Sequence, residues 1–336
     1  MRRLIRFVWQ GARRWGLVKA DRIMVLDGLY PETRDLLVEG RADIDRAAAT
    51  EGHGLALDEV LADGALLSPI TGGQRFVCQA VNYRQHAVEA GFGPEGLGAN
   101  VVFTKATSSI AGAFGDIVRP DGVSLLDHEI ELGLVLGRPL TAGDRVTDAN
   151  LHEFVAGLVV VDDVSARCQQ VREGQFHKSK SHRTFGPVGP YLVLVDANEL
   201  GRWRGLELRL WVNGHQRQAG LAGDMLYPPA ATLTELASVF DLDAGDLLAT
   251  GTPAGVALKV PHRFAVRLAG LLPDSWRYAA FLRSQRRSKG YLAPGDLIEA
   301  EIRTADGAID LGRQRTRVAS ASNVQVAEIP GGPRQT

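Results

Sequence analysis

Short apolar runs rich in β-branched residues alternate with glycine and polar turn residues along most of the chain. Such runs are typical of strands, because their side chains pack on a sheet face while glycine marks the turns. We expect strands at residues 4–9, 16–19 and 22–26 and a short helix at residues 57–62. The glycine-punctuated β pattern dominates from residue 67 onward. We therefore predict a mixed α/β protein that is predominantly β.

Three segments in the larger part of the chain have helical features. Residues 82–90 form a short candidate, residues 147–154 begin with a threonine suited to an N-cap, and residues 232–240 follow a pair of prolines. Helices and strands do not alternate regularly along the chain, which argues against a doubly wound parallel sheet.

The composition sets the size of the fold and excludes some partners. With 336 residues, 45% of them hydrophobic, the chain can bury one large core and a small additional domain. We place a small β-rich domain at residues 1–65 and the larger domain at residues 66–336. The formal net charge of −1 gives no general attraction to nucleic acid or to an anionic membrane. No apolar stretch has the length of a signal peptide or a membrane span, and Cys78 and Cys168 are too few for a disulfide framework, so we expect a cytoplasmic protein.

Two carboxylates, Glu129 and Glu131, stand two residues apart in an otherwise apolar, β-prone run. Side chains at positions i and i+2 of a strand point to the same face, so this pair would project together. Like charges so placed repel unless a cation lies between them, and carboxylate oxygens suit Mg²⁺, Mn²⁺ or Ca²⁺. Asp162 and Asp163 end a second apolar run, and only one of them can supply a third ligand if the strand continues through both. A solvated strand face is the alternative interpretation of the glutamate pair.

A second chemical feature is the spacing of His86 and Glu89 on the predicted helix at residues 82–90. Residues at i and i+3 of a helix can touch, and a carboxylate bound to one imidazole nitrogen orients the other to accept a proton from water. The pair is therefore a candidate water-activating dyad. An ordinary surface histidine is the alternative.

Two patterns suggest nucleotide or phosphate binding only superficially. Residues 91–96 match GxGxxG letter for letter, yet they follow a predicted helix and open none, so we interpret them as a hinge. The basic run at residues 283–289 has no interleaved aromatic residues and is typical of a solvated helix end.

Several motifs in order along the chain resemble the fumarylacetoacetate hydrolase family, in its short bacterial, acylpyruvate hydrolase-like form. They lie at residues 81–89, 103–110, 127–138, 162–170, 178–190, 212–214 and 249–256. The resemblance implies a β-sandwich roll with peripheral helices and a small N-terminal domain. It also implies a divalent cation, with Mg²⁺ the first choice, a small-molecule 2-oxo acid as substrate and a homodimer.

The resemblance assigns roles to individual residues. Those with an implied role are the metal ligands Glu129, Glu131 and Asp163, the catalytic residues His86, Glu89 and Lys180, and the substrate-binding residues Arg167 and Gln170. Lys180 would bind an oxyanion or carboxylate of the substrate, and the histidine and glutamate would lie on a mobile lid helix. Thr252 lies in a Thr-Gly-Thr-Pro turn, whose hydroxyl and free N–H groups suit a carboxylate, so we expect it to contact the substrate as well.

The chain departs from the family pattern in two places. Cys168 occupies a position where family members usually carry aspartate. An insertion at residues 260–290, with helix-like stretches around Trp276, Tyr278 and Phe281, separates the Thr-Gly-Thr-Pro turn from a Pro-Gly-Asp motif. An insertion after a site loop is expected to shape the substrate pocket or a dimer contact.

We expect metal-dependent hydrolysis of a C–C bond in an acylpyruvate or related 2,4-dioxo acid, fumarylpyruvate being one example, in the catabolism of aromatic compounds or sugar acids. One alternative is decarboxylation or isomerisation of a 2-oxo acid such as oxaloacetate, which needs only enolate stabilisation. A protein that binds a metal or metabolite without catalysis is another.

Overall fold

The structure, a computed structural model, describes residues 1–52, 54–62, 64–259, 273–286, 288 and 290–323. Within these residues strands outnumber helices, and the predicted mixed α/β, predominantly β character is confirmed. No helix in this part of the chain is long and apolar enough to cross a membrane.

Eleven of the described strands form one large sheet. From edge to edge they are β4 (Leu55–Ala56), β3 (Arg22–Val25), β2 (Ala12–Lys19), β1 (Arg2–Trp9), β15 (Leu192–Leu194), β12 (Val155–Asp162), β11 (Ile130–Leu136), β18 (Leu247–Ala249), β6 (Phe76–Ala80) and β7 (Val101–Lys105), with β5 (Leu66–Leu67) paired to β1. Neighbours are antiparallel except β18 and β6, which are parallel.

A second sheet has five strands and packs against the first. Its strands, in order, are β17 (His215–Leu221), β16 (Leu206–Val212), β19 (Leu297–Thr304), β20 (Asp310–Ser320) and β9 (Asp116–Arg119). Two short pairs complete the described strands: β10 (Leu126–Asp127) with β13 (Ser165–Ala166), and β8 (Ile110–Ala111) with β14 (Gly186–Pro187).

The helices surround the sheets and are short. In chain order the described α-helices are α1 (Thr33–Glu39), α2 (Arg41–Ala49), α3 (Leu57–Ala62), α4 (Arg84–Glu89), α5 (Leu151–Phe154), α6 (Arg167–Glu173), α7 (His177–Lys180), α8 (Ala197–Leu200), α9 (Pro229–Ala237) and α10 (Asp274–Gln285).

Strand β12 lies in the middle of the molecule with both faces buried. Leu158 and Val160 pack into one hydrophobic cluster, which extends over the five-stranded sheet, while Val159 and Val161 pack into a second cluster on the opposite face. Two buried faces explain why this apolar run is continuous rather than alternating. Strand β16 has the opposite pattern, since only alternate residues are buried and the other face meets solvent.

The N-terminal strands are paired with the large sheet. Strand β1 runs antiparallel to β15, with Arg3 opposite Val193. A small cluster centred on Ile5, Phe7 and Ile23 packs within the N-terminal segment. The domain boundary near residue 65 stays a prediction.

The predicted helices differ from the observed ones in their first and last residues. Helix α3 spans residues 57–62 as expected. Helix α4 begins only at Arg84, because the side chain of Asn82 is bonded to the backbone of residues 227 and 250. Helix α5 begins at Leu151, since the backbone N–H of Thr147 donates to Asn150 Oδ1 at 2.7 Å and closes a turn before the helix. Helix α9 spans Pro229–Ala237, starting and ending three residues before the predicted segment. Five further described helices, α1, α2, α6, α7 and α8, lie where the sequence pattern indicates none.

The GxGxxG-like segment lies in a fully described stretch, whereas the insertion and the basic run are described only in part. Residues 91–96 form turns after α4 and open no helix in this fully described stretch. In the insertion, residues 260–272 lie outside the described residues, and α10 covers the helix-like stretch that contains Trp276 and Tyr278. Part of the basic run at 283–289, Arg287 and Lys289, also lies outside them.

Candidate active site

A buried cluster of three carboxylates lies where β11 and β12 meet. Pairing of these strands places Ile130 opposite Asp162, and Asp163 continues beside Glu129, whose carbonyl accepts its N–H at 2.8 Å. Carboxylate oxygens of Glu129, Glu131 and Asp163 lie within 4.8 Å of one another. The structure thus brings together the three predicted metal ligands.

The register of β12 separates the two neighbouring aspartates. Asp162 turns its Oδ1 to the backbone N–H of Glu129 at 2.8 Å, and burial raises the pKa of its carboxyl to about 7. Asp163 points instead to the cluster, where it meets two lysines. Of the two candidates, Asp163 is therefore the residue placed to act as a ligand.

Two buried lysines face the cluster. Lys180 contacts Glu129 and lies 2.5 Å from Asp163 Oδ2. Lys105 lies 2.5 Å from Asp163 Oδ1 and donates to the carbonyl of Phe185 at 2.7 Å. Burial alone would lower the pKa of the Lys180 ammonium, but Asp163 and Glu129 reverse this effect and raise it, so Lys180 is a cation.

Glu131 is the carboxylate whose charge is least compensated. It accepts one hydrogen bond, from the Gly251 N–H at 2.9 Å, and forms no ion pair within the described part of the chain. Burial, followed by the charges of Asp163 and Glu129, raises the pKa of Glu131 well above its usual range. A buried, uncompensated carboxylate beside two others is the donor set that a hard divalent cation requires. The residues present fit such an ion.

Gly251 makes this contact through its backbone conformation. Its φ is +82°, and a Cβ at this position would lie 2.8 Å from the Cβ of Asn82. Only glycine adopts this conformation in the available space. The Thr-Gly-Thr-Pro turn therefore holds Glu131 through its backbone.

Arg167, the first residue of α6, is fully engaged by neighbouring side chains. Its Nε lies 2.9 Å from Asp127 Oδ2, another guanidinium nitrogen contacts Glu129, and Nη1 donates to Gln170 Oε1 at 2.7 Å. Asp127 also accepts the N–H groups of Ala257 and Leu258. Burial would lower the pKa of the Arg167 guanidinium, but Glu129 and Asp127 raise it.

The predicted dyad lies on α4, but its two side chains are not hydrogen-bonded. His86 Nδ1 is 3.9 Å from Glu89 Oε2 and has no hydrogen-bond partner among the described residues. The Glu89 carboxylate instead accepts the Gly255 N–H at 2.8 Å and lies 3.4 Å from the Lys259 ammonium. Burial opposes ionisation of Glu89, but His86, the Gly255 N–H and Lys259 outweigh it and lower its pKa to about 2.

Thr252 is bound to the protein through its hydroxyl. The Oγ1 atom donates to the carbonyl of Ile130 at 2.9 Å and accepts from Gln218 Nε2 at 2.7 Å. The hydroxyl proton is therefore already used within the protein, and the expected contact of Thr252 with the substrate stays a prediction.

A cavity of about 490 Å³ opens beside these residues. It is lined by Gln79, Ala80, Val81, His86, Glu89, Ala90, Phe92, Leu97, Val101, Glu129, Glu131, Arg167, Gln170, Phe176, Lys180, Thr252, Val256 and Leu258. Every predicted site residue lines it except Asp163, which is fully buried behind Lys180. One cavity thus borders the acidic cluster, the pair His86 and Glu89, and the predicted substrate contacts.

Comparison with known proteins supports the resemblance seen in the sequence. The model of the fumarylacetoacetate (FAA) hydrolase C-terminal domain matches residues 75–319. The chain belongs to the fumarylacetoacetate hydrolase family. The family fold predicted from the motifs is therefore confirmed.

Relatives within the fumarylacetoacetate hydrolase family match most of the chain. A protein of Burkholderia multivorans named as a hydrolase is 36% identical over 77% of this chain and 89% of its own length. The 2,4-didehydro-3-deoxy-L-rhamnonate hydrolase of a Sphingomonas species is 35% identical over 75% of this chain and 84% of its own. Among solved structures, the fumarylacetoacetate hydrolase of Exiguobacterium antarcticum is 28% identical, with a TM-score of 0.67 over 95% of this chain and all of that one.

Sequence reasoning missed two charged residues of this family member's site. Lys105 lies within the family motif at residues 103–110, and a lysine at the end of a largely apolar strand is the signal that could have identified it. Asp127 precedes the glutamate pair and anchors Arg167. Both make their contacts with residues far along the chain, which local spacing does not reveal.

The two departures from the family pattern meet in space. Cys168 is buried on α6, and its backbone carbonyl accepts the Tyr278 hydroxyl of α10 at 2.9 Å. Farther along α10, Gln285 binds both the N–H and the carbonyl of Lys259, at 3.3 and 2.8 Å. The described part of the insertion therefore packs against two segments that border the cavity.

Proposed function

We propose that this protein hydrolyses the C–C bond between the acyl and pyruvate parts of an acylpyruvate or a related 2,4-dioxo acid. The observation that carries the proposal is that one cavity is lined by two carboxylates of a buried three-carboxylate cluster, by a buried cationic lysine and by the imidazole ring of His86. The name of the Sphingomonas relative, a hydrolase of a 2,4-didehydro sugar acid, supports the same class of substrate.

Glu129, Glu131 and Asp163 would hold a divalent cation, and Mg²⁺ suits their oxygen atoms best. When bound there, the ion supplies Lewis-acid stabilisation of negative charge on the oxygens of a 2-oxo acid. Glu129 is held in place for this role by Arg167 and Lys180, and Glu131 by the Gly251 N–H.

His86 would accept a proton from water through the ring nitrogen that does not face Glu89. The oxygen of that water attacks the C4 carbonyl of the acylpyruvate, the C3–C4 bond breaks, and its electron pair passes to C3. Protonation of C3 gives pyruvate, and the acyl group leaves as a carboxylic acid. Lys180 stabilises the negative charge that develops on the pyruvate part, a contribution that is often large in a buried site.

Glu89 would orient His86 only after one of the two side chains rotates, because both residues lie on α4 and a movement of the whole helix does not change their spacing. Because a hydrogen bond needs a separation of about 2.9 Å, the 3.9 Å between His86 Nδ1 and Glu89 Oε2 must close by about 1 Å. Catalytic hydrogen bonds often tighten only once substrate is bound. The homodimer and the cytoplasmic location stay predictions.

The test is a product analysis with acylpyruvates. The protein with Mg²⁺ or Mn²⁺ should remove the enol absorbance of the substrate and yield pyruvate and a free acid in equal amounts, and a chelator should stop the reaction. If no acylpyruvate yields a free acid, release of CO₂ from oxaloacetate would overturn the proposal in favour of a decarboxylase, and conversion of a 2-oxo acid to a product with the same number of carbon atoms would overturn it in favour of an isomerase.

A further inference from the structure

We infer that the acyl group of the substrate is apolar and carries no second carboxylate. This inference rests on the proposed function, because it names the kind of acylpyruvate that the same cavity accepts. It follows from how charge is distributed around the cavity wall.

The cavity has one polar end and a largely apolar remainder. The carboxylates of Glu129 and Glu131, with Lys180 and Arg167, form the polar end, where the 2-oxo acid part would lie. The remaining wall is formed mainly by apolar side chains, among them Phe92, Leu97, Val101, Phe176, Val256 and Leu258. An apolar wall stabilises a hydrocarbon group and penalises a buried carboxylate that finds no partner.

No cation is available in the described wall for a second carboxylate. The only lysine and arginine among the described lining residues are Lys180 and Arg167, and both are bound to the acidic cluster. Lys259, outside the lining, lies against Glu89. A binding site for a dicarboxylate normally supplies an arginine or lysine at each end.

The negative charge of Glu89 also disfavours a second carboxylate on the acyl group. Glu89 lines the cavity on the lid side, and its low pKa, near 2, keeps it ionised at neutral pH. An acyl group with its own carboxylate would bring a second negative charge close to this residue, whereas an alkyl or aryl group would not.

The first measurement compares two ligands that differ only in a terminal carboxylate. Binding of 2-oxooctanoate and of 2-oxooctanedioate to the Mg²⁺-loaded protein is measured by calorimetry. We expect the monocarboxylate to bind at least about tenfold more tightly, since one well-placed group in a pocket changes selectivity by this order. Equal binding, or tighter binding of the dicarboxylate, would overturn the inference.

Hydrolysis is then compared for hexanoylpyruvate and adipoylpyruvate, which differ in the same way. A kcat/KM at least about tenfold higher for hexanoylpyruvate supports the inference. A preference for adipoylpyruvate overturns it but leaves the proposed function intact. If neither compound is hydrolysed, the proposed function is in question, and the binding comparison still decides the inference.

A substitution that introduces a cation into the cavity wall tests the same inference in the protein itself. Leu97 lines the cavity and is 38% exposed, so Leu97→Lys brings in a cation without burying it. This change should reduce or reverse the preference for hexanoylpyruvate. Leu221→Lys is the control, because Leu221 is similarly exposed, at 44%, but lies on β17 outside the cavity lining. An equal effect of both substitutions would show that the wall does not determine the preference.

Discussion

The ammonium group of Lys180 lies 2.5 Å from Asp163 Oδ2, inside the cluster of carboxylates proposed to hold a divalent cation. The lysine therefore already compensates part of the charge that such an ion would meet. Binding of the ion should weaken this ion pair and leave the ammonium free to face the substrate. The role of Lys180 in turnover can thus be separated from the ability of the cluster to bind metal.

Lys180→Met should abolish most of the activity while leaving metal binding in place. Removal of one electrostatic donor from a buried site costs about 100-fold or more in kcat. The affinity for Mg²⁺ or Mn²⁺, measured by calorimetry, should stay the same or increase, because a competing cation is gone. Lys178→Met is the control, since that lysine is exposed and paired with Glu173. Loss of metal binding in Lys180→Met would contradict this separation of roles.

Substitution of the two neighbouring aspartates tests the register of β12. Asp163→Asn should weaken the affinity for Mn²⁺ by more than about 100-fold and abolish activity, because a ligand is removed. Asp162→Asn keeps the Oδ1 acceptor for the Glu129 N–H and should retain metal binding. Titration of each variant with Mn²⁺ distinguishes the two aspartates. A loss of Mn²⁺ affinity in Asp162→Asn but not in Asp163→Asn would show that Asp162 is the ligand.

Removal of the His86 ring should eliminate turnover without affecting the metal site. We expect His86→Gln to lower kcat by about 100-fold or more, as is usual for a general base. The Kd for Mn²⁺ should be that of the wild type. A variant with nearly full kcat would remove His86 from the proposed mechanism.

The ionised state of Glu89 should contribute to stability in a defined range of pH. Its pKa is lowered in the folded protein to about 2 from an ordinary value of 4.5. The folded state therefore binds this proton less readily than the unfolded state, so the stabilisation is fully present above about pH 4.5 and disappears as the pH falls through about 2. The difference in Tm between the wild type and Glu89→Gln, measured from pH 6 downward, should be constant at first and then shrink. A difference that grows on acidification would contradict the assigned sign.

Gln285 should stabilise the segment that follows the Thr-Gly-Thr-Pro turn. Its buried amide bonds to both backbone groups of Lys259 and accepts the Tyr291 hydroxyl at 2.7 Å. Gln285→Ala leaves these groups without their partner and should lower the free energy of unfolding by about 1–3 kcal/mol. Ser275→Ala, at an exposed position of the same helix, should have little effect in the same denaturation experiment. Equal stability of the two variants would show that α10 is not held through Gln285.

Local spacing was sufficient for the parts of the site that lie within one element. Glu129 and Glu131 share a face because a strand repeats every two residues. His86 and Glu89 lie on one short helix, three residues apart, as expected. Their actual separation of 3.9 Å could not be predicted, because it depends on Gly255 and Lys259, far along the chain, which bind the glutamate.

The choice between Asp162 and Asp163 shows where local reasoning ends. Both follow the same apolar run, and only the pairing of β11 with β12 turns one toward the carboxylates and the other toward a backbone N–H. A shift of one residue in register would exchange them. The contact of Lys105 with Asp163 likewise depends on how β7 packs relative to the end of β12.

The sequence by itself determined that this protein is rich in strands, that it carries the ordered motifs of its family and that two pairs of reactive side chains stand at matching positions of a strand and a helix. The tertiary structure decided which distant groups meet: Lys180 and Lys105 at Asp163, Asp127 at Arg167, and Tyr278 at the carbonyl of Cys168. The physical reason is that backbone geometry determines neighbours only over a few residues. Contacts between distant segments depend instead on sheet register and on the packing of buried faces against each other.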